Sequence, residues 1–221
     1  MSPRAADLTW PQAADRGDRL LVVPLGATEQ HGPHLPLSTD TDVACALAGA
    51  LAARRADVDV APPVPYGASG EHAGFAGTLS IGTAALQLLL VELGRSATAT
   101  WRRVLLLSAH GGNADAVRSA VAVLRGEGRD VRAWSPAWPG DAHAGRTETS
   151  VQLALDPSRV LPGRAQPGAT EPLADLLPRL RAGDVRAVSP NGVLGDPSGA
   201  GADEGDRLLA EAVDQLDVWL G

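Results

Sequence analysis

The sequence predicts an α/β fold with a mostly parallel central sheet and helices on both faces. Three observations carry that expectation. Short apolar runs at residues 20–25, 58–61, 104–108 and 130–134 alternate with longer segments of helical spacing. The strongest runs are continuously apolar, the pattern of strands buried on both faces. Polar residues and glycines gather just after two of these runs, where open α/β sheets collect their ligands.

Taken in order, Leu20-Leu21-Val22-Val23-Pro24-Leu25 ends at Gly26 and reads as a buried strand. A polar segment, residues 27–40, follows. Residues 41–53 read as a helix with Asp40 as its N-cap. Residues 58–61 form a second strand, stopped by Pro62-Pro63. A glycine-rich loop at 65–80 leads to a helix at 83–98. Val104-Leu105-Leu106-Leu107-Ser108 is the clearest strand of the chain. The next helix spans 113–125, capped by Asn113, and the next strand 130–134. Residues 156–169 hold Pro and Gly throughout and read as irregular. A short helix at 173–180 and a closing helix at 203–220 complete the pattern. No repeat or linker divides the chain, so residues 1–221 read as one domain.

Composition excludes several function classes. The net charge of −7 gives a surface that repels nucleic acid phosphates. All 19 basic residues are Arg, so no lysine can form a Schiff base. Cys45 is the single cysteine, which rules out an internal disulfide and suits a reducing cytoplasm. It sits among Ala and Leu and reads as a small packing residue. Residues 1–18 lack a signal-peptide layout, and no apolar run is long enough to cross a bilayer. The expectation is a cytoplasmic protein with neither a membrane nor a nucleic acid partner.

Three of the five histidines fall in the two loops that follow the strongest strands. After the first strand come Glu29, His31, His34 and Asp40; after the third comes His110-Gly111-Gly112-Asn113. Mixed carboxylate and imidazole donors suit zinc, iron or manganese better than calcium or a thiolate-bound metal. From spacing alone an alternative carries equal weight: Glu29 and Asp40 as solvated loop residues and His110 as a helix cap. Neither H-E-x-x-H nor the nucleophile elbow G-x-S-x-G occurs.

The run V-P-L-G-A-T-E-Q-H-G-P-H-L-P-L-S-T-D-T-D from Val23 to Asp42 resembles the signature of the creatininase family of amidohydrolases. Further segments match in order: Gly70-Glu71-His72 with Gly77-Thr78-Leu79-Ser80, then His110-Gly111-Gly112-Asn113, then His143-Ala144-Gly145 with Glu148-Thr149-Ser150. Leu8-Thr9-Trp10-Pro11 and Gly192-Val193-Leu194-Gly195-Asp196-Pro197 are similar to the family's opening and late loops. The resemblance implies a three-layer α/β/α fold and a pair of divalent metal ions, zinc or iron, with manganese as an alternative. Glu29 and His110 would hold one ion and His31 the other, with Asp40 between them.

Creatininase itself has a further carboxylate where this chain has Gly112. Other family members share the H-G-G-N form, and Glu148 is then the remaining ligand. Glu29, Asp40, Glu148 and one hydroxide would balance two divalent cations. A hydroxide bridging the ions would be the nucleophile. His143 is the expected catalytic residue, binding an oxyanion or passing a proton to the leaving amine. Weaker candidates for substrate contact are His34, Glu71, His72 and Trp138, the last with core packing as its default. The resemblance is nearest to a peptidase branch that releases a C-terminal dipeptide from a modified precursor peptide. Hydrolysis of a small cyclic amide or formamide, or a catalytically inactive relative, are the alternatives. The family also implies a homo-oligomer, expected to be a hexamer.

Overall fold

The structure, a computed structural model, describes residues 4–138, 140–182 and 184–221. In chain order its elements are α1 (Trp10–Ala14), β1 (Leu20–Leu25), α2 (Thr39–Arg54), β2 (Val58–Val60), α3 (Gly82–Ala97), β3 (Arg103–Ser108), α4 (Ala114–Gly126), β4 (Asp130–Trp134), α5 (Arg146–Leu155), α6 (Leu173–Ala182), α7 (Val185–Val188) and α8 (Ala202–Leu220). The four strands form one parallel sheet in the order β2-β1-β3-β4.

Side chains alternate across this sheet, and both faces are covered. Leu20, Val22, Val58, Leu105 and Leu107 pack against α2, α5 and α8 through Leu47, Leu51, Val151, Val213 and Leu216. Leu21, Val23, Leu25, Val104, Leu106 and Val131 pack on the other face against α3 and α4, meeting Leu86, Leu90, Val117 and Leu124. The result is the expected three-layer α/β/α arrangement.

Pro24 sits inside a central strand, where a missing N–H normally breaks a ladder. The carbonyls of Val22 and Pro24 accept from Ala61 and Val64, so both residues face the β2 side. Regular β2 has ended at Val60 by that level, and the chain is turning through Pro62-Pro63. The missing N–H of Pro24 therefore falls where β2 has given way to Pro62-Pro63.

The strand order places the site. The chain leaves β1 toward β2 through α2 on one face; α3 and α4 then carry it to β3 and β4 on the other. The winding reverses between β1 and β3, and loops leaving their carboxyl ends diverge there to open a crevice.

Two expected caps are corrected. Helix α2 begins at Thr39 after Ser38, so Asp40 is its second residue and its side chain is free to reach inward. Asn113 makes no capping bond. Its Oδ1 accepts from the Ala68 N–H at 2.9 Å and its Nδ2 donates to the Gly26 carbonyl at 3.0 Å, tying two loops to the start of α4. Helix α5 has no counterpart among the elements expected from sequence, because its first turns bury Thr147, Thr149, Ser150 and Gln152 and so show no apolar stripe.

Candidate metal centre

Every titratable side chain of the site is delivered by a strand end, a short turn or a first helical turn. The extended segment after β1 points Glu29 and His31 into the crevice, and the first turn of α2 adds Asp40. His110 follows β3. Gly70–His72, a 3-10 turn, contributes His72 and Glu71. The segment before α5 gives His143, and the first turn of α5 gives Glu148.

Among the described residues these side chains form three carboxylate–imidazole groups that share members. Glu29, Asp40 and His110 make one, His31, Asp40 and Glu148 a second, and Glu29, His31 and His143 a third, with ligand atoms in each within 4.8 Å of one another. Asp40 divides its oxygens: Oδ1 lies 3.1 Å from His31 Nε2 and Oδ2 lies 3.3 Å from His110 Nδ1. Glu148 Oε2 stands 3.8 Å from His31 Nε2 and accepts from the Ala144 N–H at 2.6 Å. Ala144 holds that N–H in place with a φ of 52°, a left-handed conformation rare for a residue with a Cβ.

The donor set fits a cation. Both oxygens of Glu29 and Oδ2 of Asp40 are buried and make no hydrogen bond among the described residues. Imidazole nitrogens stand 3.2 to 3.9 Å away, converging without hydrogen-bond alignment. Buried carboxylate oxygens left this way are costly unless something positive lies between them. His31 is oriented for the role: its Nδ1–H donates to the Glu29 carbonyl at 3.2 Å, which aims Nε2 at Asp40 and Glu148.

The cluster's charges also favour protons on some of its members. Burial opposes charge on His31 and His110, but Asp40, Glu29 and neighbouring carboxylates override it and push them up to about 10 and about 9. Burial, with Asp40 adding to it, lifts Glu29 to about 7. Burial also raises Glu148. For Asp40 burial is outweighed by His31 and His110, which hold the carboxyl well below its usual range. His72 is lowered to about 3 and His143 falls well below its usual value, in both cases by burial first and then by nearby imidazoles. Both therefore stay neutral.

A cleft of about 470 Å³ opens on this cluster, lined by Glu29, Glu71, His72, His110, His143 and an apolar wall of Leu177, Leu180 and Leu194. Glu71 and His72 thus lie where substrate would enter. His34 does not: it is buried behind the loop, its Nε2 2.9 Å from Thr149 Oγ1. Trp138 packs against the apolar layer around α2 and α8 and is not part of the cleft lining. Gln30 and the leucine wall are absent from the residues expected from sequence. A signal for Gln30 was present: a long amide held between two ligand candidates. The wall comes from α6 and the late loop, and sequence spacing does not bring those segments together.

A doubly wound parallel sheet with shared carboxylate–imidazole groups beyond its strand ends defines a metallohydrolase architecture. The family model of creatininase, creatinine amidohydrolase, matches residues 6–219, and the chain belongs to that family. The mycofactocin precursor peptide peptidase of Mycolicibacterium smegmatis is 55% identical over 211 residues, covering 90% of this chain and 85% of that protein. The Mycobacterium tuberculosis protein of the same name is 53% identical, covering 88% and 81%. The creatinine amidohydrolase of Pseudomonas putida is 29% identical, covering 94% and 92%. A crystal structure of creatinine amidohydrolase superposes with a TM-score of 0.82 at 28% identity, covering 100% of this chain and 97% of that one. A manganese creatininase superposes with a TM-score of 0.81 at 27% identity, covering 98% and 96%.

Proposed function

We propose that this hydrolase is a metal-dependent peptidase that acts on the mycofactocin precursor peptide and frees a dipeptide from its C-terminus. Relatives more than half identical over most of the chain carry that name. The structural observation behind the chemistry is the pair of carboxylate–imidazole groups sharing Asp40 at the base of an open cleft. Glu29, Asp40 and His110 would hold one divalent ion, and His31, Asp40 and Glu148 the other. Zinc, iron or manganese suits these donors. Such ions supply Lewis acidity, polarising the scissile carbonyl and bringing the pKa of a water toward about 7.

The remaining work falls to the chain itself. His143 Nε2–H donates to the Gln30 carbonyl at 2.9 Å, so its Nδ1 lone pair faces the cluster. That atom can take a proton from the attacking water and pass it to the departing amine nitrogen. His72 Nε2 stands 3.3 Å from Glu29 Oε1, at the edge of the cluster where a donor would meet charge developing on the substrate oxygen. Leu177, Leu180 and Leu194 exclude water on one side and offer an apolar surface to a peptide side chain. Residues 1–221 act as one catalytic unit in this reading, and the chain assembles as a homo-oligomer, for which light scattering is the check. Among the described residues no helix is long and apolar enough to cross a membrane.

The decisive experiment offers modified precursor peptide, creatinine and a formamide in parallel to the metal-loaded protein, with products read by mass spectrometry. Loss of a C-terminal dipeptide from the peptide supports the proposal. Rapid creatinine turnover with the peptide intact overturns it.

A further inference from the structure

We infer that Gln30 is a positioning residue: its one buried amide fixes the tautomers of His72 and His143, so that His72 offers the carboxylate cluster a hydrogen and His143 offers it a lone pair.

The orientation of the amide is set first. The Gly32 N–H donates to Gln30 Oε1 at 2.8 Å, which turns Nε2 toward the cluster. Nε2 then has three neighbours: His72 Nδ1 at 2.8 Å, the Gly192 carbonyl at 3.0 Å and His143 Nε2 at 3.0 Å. An amide nitrogen carries two hydrogens, so only two of the three can receive one. The Gly192 carbonyl can only accept. His143 Nε2 has an acceptor of its own, the Gln30 backbone carbonyl at 2.9 Å, and spends its hydrogen there. The second amide hydrogen therefore goes to His72 Nδ1, which must be bare.

Burial favours the neutral ring for both histidines. A neutral His72 with bare Nδ1 carries its hydrogen on Nε2, which faces Glu29 Oε1 at 3.3 Å. A neutral His143 with its hydrogen on Nε2 has a bare Nδ1, 3.9 Å from Glu29 Oε1 and 4.0 Å from Glu148 Oε2. Both rings are the same tautomer, yet they turn opposite edges to the cluster. The late loop is shaped around this amide. Gly192 adopts a φ of 82°, and a Cβ there would lie 1.9 Å from Gln30 Oε1. Two residues later, Leu194 pairs with the backbone of His143.

The test reads tautomers directly by long-range proton–nitrogen NMR of the histidine rings. It uses the full chain both zinc-loaded and chelator-treated, with His72→Asn and His143→Asn to identify the signals. In the wild-type chain His72 and His143 are expected to carry hydrogen on Nε2. Gln30→Glu replaces the donor by an acceptor, so His72 should switch its hydrogen to Nδ1. Turnover should then fall about 10- to 100-fold with KM little changed. A wild-type His72 with hydrogen on Nδ1, or an unchanged His72 in a folded Gln30→Glu variant, overturns the inference. If Gln30→Glu does not fold, the wild-type tautomers decide alone. The effect on turnover rests on the hydrolytic reading of the site, but the tautomers do not. A chain with the expected tautomers and no peptide hydrolysis keeps this inference and loses the proposed substrate.

Discussion

A Cβ added to Gly112 would stand 2.5 Å from Oε1 of Glu71. It would also lie 2.4 Å from the Ala68 carbonyl and from His110 Nε2. The space that a side chain at this position would need is thus already filled, in part by the Glu71 carboxylate, 3.8 Å from His110 Nε2. Gly112→Glu is therefore expected not to confer creatinine hydrolysis, although the resemblance to creatininase implies a carboxylate there. Even Gly112→Ala should displace His110, lowering turnover and metal affinity by about tenfold or more, and metal content with it. Elemental analysis and the peptide assay check this, and wild-type metal content in Gly112→Ala would contradict it.

Asp40 belongs to two of the three candidate ligand groups, the two proposed to hold the ions, whereas Glu148 belongs to one. Asp40→Ala should strip both ions from the protein, and Glu148→Gln should leave one. Counting metal per chain after gel filtration separates these outcomes. Equal retention in the two variants would remove Asp40 from its shared position.

Chelation should expose a pH dependence of stability with a definite sign. In the metal-free chain His31 and His110 sit at about 10 and about 9, above the ordinary 6.5. A raised imidazole contributes stability that is complete below about 6.5 and is lost as pH climbs through its folded value. Glu29, raised from 4.5 to about 7, fades in the same direction at lower pH. His72 and His143 act in the opposite sense, but only below about 6.5. The chelated protein should therefore lose Tm from about pH 7 to about pH 10. Metal competes with protons for these same atoms, so the loaded protein should hold its Tm over that range. Scanning calorimetry with and without chelator tests both halves; a chelated Tm that rises with pH would sink the argument.

The leucine wall should govern binding more than chemistry. Leu177 is 36% exposed and faces the cleft with Leu180. Leu177→Ser should raise KM several-fold with kcat nearly unchanged, since it removes contact shared by bound substrate and transition state. Steady-state kinetics on the peptide decide it, and a drop in kcat at constant KM would place Leu177 in the chemistry instead.

Much of this architecture was legible in the chain. A run such as Val104-Leu105-Leu106-Leu107 can bury both faces only inside a covered sheet, so the strands and their layers followed from apolarity alone. Glu29, His31, Asp40 and His110 stood out as rare polar groups beside strand ends. Helix α5 did not, because buried Thr149, Ser150 and Gln152 replace the apolar stripe a helix usually shows. Asp40 resembles a cap because a helix start and an inward-pointing ligand look alike in one dimension. Gln30, His72 and His143 acquire their relationship only when segments more than 40 residues apart close on one amide.

The two apolar layers that clamp the sheet include none of the cluster's carboxylates or imidazoles. The sheet's apolar packing alone would thus bring the strand ends, and with them the cluster, together. Ion choice then falls to a finished pocket of fixed size and donor spacing. A flexible nascent chain would instead yield to whichever divalent ion binds imidazole most tightly. A chain that folds before loading would select its ion by this donor spacing as well as by affinity for imidazole.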